Sequence, residues 1–177
     1  MGTYGAKELA DAFRTVRKNT IQVAEDIPEE QYDFVPAPDT MSVSAMLRHL
    51  AFAPMLYETM HREHRITTLV GFDFPALIGR MRSEEAKPRS KAEIVELLTS
   101  EGERFASWLE SVSPEFLAET FASPTGDLRT RLESLMSPKE HEMHHRGQLM
   151  LIERMLGIVP HLTRARQQRM QGARPAS

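Results

Sequence analysis

Cysteine is absent from all 177 residues, which excludes disulfides, thiolate nucleophiles and cysteine-based zinc sites. Any metal would have to be held by His, Asp or Glu. Long apolar runs are missing too: none approaches the roughly 20 residues that span a bilayer, and the first 25 residues alternate charged and apolar types without a leader pattern. A soluble, cytoplasmic chain with no membrane partner is the expectation. Acids are missing from the last 17 residues, which hold Arg164, Arg166, Arg169 and Arg174. Removing these four charges from the overall −3 leaves −7 for residues 1–160. An acidic body argues against a nucleic-acid partner. The length suits one domain, read as residues 1–160, with residues 161–177 as an Arg-rich polar tail in solvent. Period-two alternation is lacking as well, so no strand is predicted.

Helical periodicity is what the chain does have. Leu9, Phe13, Val16, Thr20, Val23 and Ile27 step by three and four along one stripe, predicting a first helix over about residues 4–25. Pro28, Pro36 and Pro38 then forbid regular structure, and the chain to Thr40 is read as an extended connector. A second helix runs from Ser42 or Ser44 to about Arg65, with Val43, Met46, Leu50, Ala53, Tyr57 and Met60 on its apolar side. Pro54 removes the amide that would bond the Leu50 carbonyl, so a kink is expected one turn beyond His49. Residues 71–89, with two glycines and two prolines, are read as a long connection over one end of the bundle. The Ser90/Glu93 capping box opens a third helix carrying Ile94, Leu97, Leu98, Phe105, Leu109 and Val112. Ser113-Pro114-Glu115 caps a short helix, and Ser123-Pro124-Thr125-Gly126 makes a turn. The last long helix carries His141, His145, Leu149, Ile152 and Leu156 and stops at Gly157 and Pro160. It either begins at Pro138, capped by Ser137 with Glu140, or already runs from about Leu128 and is kinked there. The fold predicted is all-α, a four-helix bundle with long connections between helices.

The octet from His141 to Gln148, His-Glu-Met-His-His-Arg-Gly-Gln, carries the chemistry. Residues at i and i+4 lie about 40° apart around a helix, so His141 and His145 project to one side. Two imidazoles on a buried stripe find the helix carbonyls already used, and each unmet polar group costs roughly 1–3 kcal/mol; a shared cation removes that cost. His49, among Met46, Ala53 and Leu56 on the apolar side of the second helix, is the best third ligand. The metal ligands are therefore read as His49, His141 and His145. His61 and His64 sit in a charged helix end, Met60-His61-Arg62-Glu63-His64-Arg65, and are read as a solvated face. His144 points about 100° away from His145 and is read as pocket wall, interface or a residue behind the ligands. His161 has no spacing argument.

These residues resemble the DinB-like, or YfiT-like, metal-dependent four-helix-bundle family, which carries H-x-x-x-H-R-x-Q late in the chain. Here that is His141, His145, Arg146 and Gln148. The likeness includes Pro28-Glu29 with the proline connector, the stretch from Ser42 to Leu50 around His49, and Leu156-Gly157-Ile158-Val159-Pro160, about residues 4–160 in all. It implies a divalent metal, zinc or nickel, held by His49, His141 and His145 with a position left to water. It also suggests a homodimer. Some relatives look like thiol transferases that activate bacillithiol, mycothiol or glutathione, so a low-molecular-weight thiol enters as a possible cofactor.

His141-Glu142-x-x-His145 also spells the zincin protease motif. A metzincin requires Gly at 148 and His at 151, where this chain has Gln148 and Leu151. For a gluzincin, the only acid within about 20 residues after His145 is Glu153, on the same helix. Glu142 is read instead as an i, i+4 partner of Arg146, worth a few tenths of a kcal/mol if exposed, while Arg146 supports packing or a dimer contact. Glu142, His144 and Gln148 remain the candidates to act behind the ligands, Gln148 by bonding an occupant of the open position or fixing a ligand ring. Gly147 costs about 1 kcal/mol in mid-helix and implies close helix packing or room for a ligand. The function expected is a metal-activated nucleophile acting on a small electrophile, with thiol S-transfer first. A metal-dependent hydrolase and a noncatalytic bundle with a structural metal are the alternatives.

Overall fold

A computed structural model describes residues 4–172. Helix α1 (Ala6–Asp26) buries Leu9, Phe13, Val16, Thr20 and Val23, and Tyr32 in the connector closes its end by donating its hydroxyl to the Ala24 carbonyl at 2.7 Å. Helix α2 (Val43–Phe52) begins where the Ser42 hydroxyl accepts the Ala45 amide. Pro54 then divides the second long segment into α2, the short α3 (Pro54–Tyr57) and a π-helical turn over Glu58–Glu63. The long helices α5 (Lys91–Ser111) and α7 (Arg131–Met155) complete the bundle. Helix α1 packs on α5 and α7, and α2 packs on the same two.

Helix α7 resolves the alternatives left open at Pro138. Thr130 caps it, with a reciprocal box to Glu133, and Pro138 lies inside. Gly157, at φ 78°, ends it by letting the Ile158 amide reach back to the Glu153 carbonyl at 2.8 Å.

Two expectations are corrected. The connection read over 71–89 contains helix α4 (Phe74–Glu85), capped by Asp73 with Pro75 in its first turn. Its apolar stripe is thin, only Leu77 and Met81 being buried, so composition hid it. Strands exist: after the short α6 (Pro114–Ala118), β1 (Thr120–Ala122) pairs antiparallel with β2 (Leu128–Thr130) across the predicted turn. Three residues each, with Leu128 exposed, are too few to show alternation. The polar tail, with none of its described residues buried, nonetheless forms helix α8 (His161–Gly172), tied to α1 by His161 on Asn19 at 3.1 Å and Arg164 on Asp26 at 2.6 Å. Arg174 lies outside the described residues.

One guanidinium joins all four long segments. Arg17 of α1, 3 % exposed, donates Nε to the Glu142 carboxylate of α7 at 2.9 Å, Nη1 to the Leu98 carbonyl of α5 at 2.8 Å, and Nη2 to the Leu50 carbonyl of α2 at 2.9 Å. The Leu50 carbonyl is the one Pro54 deprives of its helical amide. Gly102 of α5 makes the space: a Cβ there would stand 2.7 Å from Arg17 Cγ. Along α1, α5 and α7 this hub separates two apolar clusters, one around Phe13, Phe105 and Leu135, the other around Val23, Leu98 and Leu149, which Leu50 of α2 joins.

Candidate metal centre

Helices α2 and α7 bring His49, His141 and His145 together. One nitrogen from each lies within 4.8 Å of the others, and the ring centroids are 4.6–5.2 Å apart. The hub sits immediately behind them: Arg17 bonds the residue after His49 and the residue after His141. It thereby ties the register of α2 to that of α7 where the imidazoles meet.

The ring orientations follow from partners that can only accept. The His49 Nδ1–H donates to Glu85 Oε1 at 3.0 Å, and the His145 Nδ1–H to Gln148 Oε1 at 2.8 Å. A neutral imidazole carries one proton, so both Nε2 atoms are left as lone pairs. His49 Nε2 and His141 Nε2 face each other at 2.9 Å. Burial pushes His141 down to about 4, helped by His145, His49 and His144. Burial also lowers His145, against the opposing bond from Gln148. Both rings are neutral at pH 7.

This donor set fits a divalent ion. Zn–N bonds of about 2.0–2.1 Å hold ligand nitrogens no more than about 4.2 Å apart, within a small ring adjustment of the observed cluster. Without a cation, a single His141 Nε2–H can satisfy only one of the facing lone pairs. Carboxylate and amide groups behind the imidazoles are the usual means of fixing ligand tautomers. Glu85 lies on α4, a helix whose only marks in the sequence are the Asp73-Phe74-Pro75 start and the Leu77/Met81 pair, so periodicity does not point to it.

The remaining candidates go elsewhere. Glu142, 2 % exposed, belongs to the Arg17 hub instead of pairing with Arg146. Arg146 packs toward α1, its Nη1 reaching the Val16 carbonyl at 3.5 Å. His144 is exposed, with its Nε2 3.4 Å from the Gln148 amide nitrogen. A Cβ on Gly147 would meet nothing within 4 Å, so that glycine serves no close packing among the described residues. His64 is exposed, but His61 is wholly buried, a correction of the solvated reading. Its Nδ1 accepts from Arg131 Nη1 at 3.0 Å and its Nε2–H donates to Ser134 Oγ at 2.8 Å. Arg131 also binds Glu119 and the Ile66 carbonyl. The π turn that aims His61 inward is invisible to a 3.6-residue pattern.

A cleft of about 340 Å³ opens beside His145 and Gln148, between the connector and α7, walled by Met41, Met46, Leu151 and Ile152. No described helix is long and apolar enough to cross a membrane.

Comparison with known proteins bears on both architecture and lineage. YfiT from Bacillus subtilis, described as a probable metal-dependent hydrolase with an unusual four-helix bundle topology, superposes with a TM-score of 0.67 at 16 % identity, covering 89 % of this chain and 91 % of that one. A DinB-like protein from the same organism, YjoA, superposes with a TM-score of 0.63 at 22 % identity, covering 85 % and 92 %. Both likenesses show the fold. No curated protein matches. The DinB superfamily profile matches residues 12–149, which span α1, α2, α5 and all three histidines, and the chain belongs to that superfamily.

Proposed function

We propose that this chain is a metalloenzyme in which His49, His141 and His145 hold a divalent ion, zinc or nickel, for nucleophilic chemistry on a small electrophile. The observation that carries the reading is the convergence of three imidazoles, two of which, His49 and His145, have their Nδ1 atoms occupied by Glu85 and Gln148. A divalent ion there supplies Lewis acidity, which brings a bound thiol or water to ionise near neutral pH. The chain's part is to keep His141 and His145 neutral by burial, fix the His49 and His145 tautomers and set an apolar wall beside them.

Thiol S-transfer is the reaction we favour, with a low-molecular-weight thiol as co-substrate. Its sulfur–carbon bond forms as the electrophile loses its leaving group, and the thiol proton passes to solvent. Supporting this, the one carboxylate of the His-Glu-x-x-His motif, Glu142, is committed to Arg17 and is not free to act as a hydrolytic base. Hydrolysis is the second reading, favoured by the likeness to YfiT.

Elemental analysis of protein purified without a nickel column should find close to one zinc or nickel per chain, and His145→Ala should lose it. Wild-type protein without metal, and without a melting shift on zinc addition, overturns the metal reading. If metal is bound, thiol consumption across a panel of electrophiles should exceed ester hydrolysis and vanish in His145→Ala. Unchanged activity in that variant leaves the ion a structural clip.

A further inference from the structure

We propose that the cleft beside His145 binds a small molecule with an unbranched apolar body and a cationic amine at its far end, and that Asp39 is the specificity residue receiving the amine. The reacting end of that molecule rests on the metal reading above; the cleft itself does not.

The cleft holds about 340 Å³, at the lower end of the roughly 300–1,000 Å³ found for small-molecule sites. His145 and Gln148 line one part, so a molecule filling it meets the candidate metal centre. Met41, Met46 and Met155 line much of the rest, side chains that adapt to a flexible apolar occupant instead of fitting one rigid shape. Among the lining residues Asp39 alone carries a full charge, and it is negative. It enters none of the ion pairs among the described residues. Asp39 is exposed at the rim, so an anionic tail would be repelled there, a neutral one would gain nothing from the charge, and a cationic one would gain an ion pair.

The backbone adds a second observation. Asp39 has φ 61°, in the left-handed region where glycine costs least. The surrounding turn is closed by the Thr40 hydroxyl and amide on the Ala37 carbonyl, at 2.7 and 3.3 Å. No side-chain hydrogen bond of Asp39 helps to hold this turn among the described residues. The turn needs the conformation but not the carboxylate, so the charge is available to a ligand.

The test uses full-length protein, zinc-loaded and metal-free. With zinc, calorimetry compares three hydroxamates: acetyl, heptanoyl and aminocaproyl, the last two of equal tail length. The long tails should bind more tightly than acetyl, by up to about fourfold per buried methylene. The aminocaproyl probe should exceed the heptanoyl one by about three- to fivefold at low salt, the scale of an exposed ion pair. Asp39→Asn, which keeps the turn, should erase that preference; Asp39→Gly should erase it while raising the melting temperature. Metal-free protein is titrated with n-hexylamine and n-hexanol, watching the methionine methyl resonances. Shifts of Met41 and Met46 with the amine favoured support the cleft reading even if zinc never binds, in which case only the metal reading falls. With zinc bound, equal binding of acetyl and long hydroxamates or an amine preference that survives Asp39→Asn overturns the proposal, as does hexylamine leaving both methyls unmoved in either form.

Discussion

His61 and His141 are both pushed down to about 4, chiefly by burial, yet they stand in opposite chemical situations. Both nitrogens of His61 are used by the protein, Nδ1 by Arg131 and Nε2 by Ser134. Roughly 15 Å further along α7, His141 points Nε2 at another imidazole nitrogen, and a third ring stands beside them. A depressed histidine alone therefore does not identify a functional site. A closed cluster strengthens the fold, whereas an open one leaves lone pairs that only a ligand from outside the chain can use.

The largest effect should come from opening a closed cluster. Arg17→Ala leaves Glu142 buried and unpaired and frees two carbonyls, and urea unfolding should show a loss of about 3–5 kcal/mol. His141→Ala in metal-free protein should cost far less; similar losses would dissolve the distinction between the clusters. Next comes the acid limb. His61 protonates near its ordinary 6.5 when unfolded but near 4 when folded, so between those values the unfolded chain binds more protons. Its contribution is complete above pH 6.5 and falls away toward pH 4, by about 3 kcal/mol. Histidine NMR should find the His61 ring neutral at pH 5, and a ring titrating near 6.5 would contradict its burial. Glu85→Gln should weaken zinc affinity by about 10–100-fold with little change in metal-free stability; an unaltered affinity would show that Glu85 does not orient His49. Smallest is Gly147→Ala, expected to stabilise the metal-free chain by about 0.5–1 kcal/mol. Destabilisation there would reveal a surface that packs against another molecule.

Much of this was readable without coordinates, and the boundary has a physical cause. The stripes of α1 and α5 and the Ser90/Glu93 box were legible because periodicity and capping are local. The His141/His145 pair was legible for the same reason, since helical spacing fixes which residues share a face. Helix α4 was missed because it buries only Leu77 and Met81, and with it went Glu85. Glu142 was assigned to Arg146 because the i, i+4 rule sees only its own helix; its partner is 125 positions away. Gly102 gave a faint signal, a glycine within the strongly helical α5, and only the position of Arg17 explains it.

The sequence by itself determined where the four long helical segments of the bundle lie, that any metal must be held without cysteine, and which two histidines share a helical face. Those properties depend on residue chemistry and on steps of three or four along the chain. Tertiary structure decided which polar groups are satisfied. It closed Arg17 on Glu142 and Arg131 on His61, set Glu85 behind His49, and left Asp39 beside a cleft without an ion-pair partner among the described residues. Satisfaction of a buried donor or acceptor depends on atoms brought within about 3 Å from distant parts of the chain, and local periodicity does not specify that proximity.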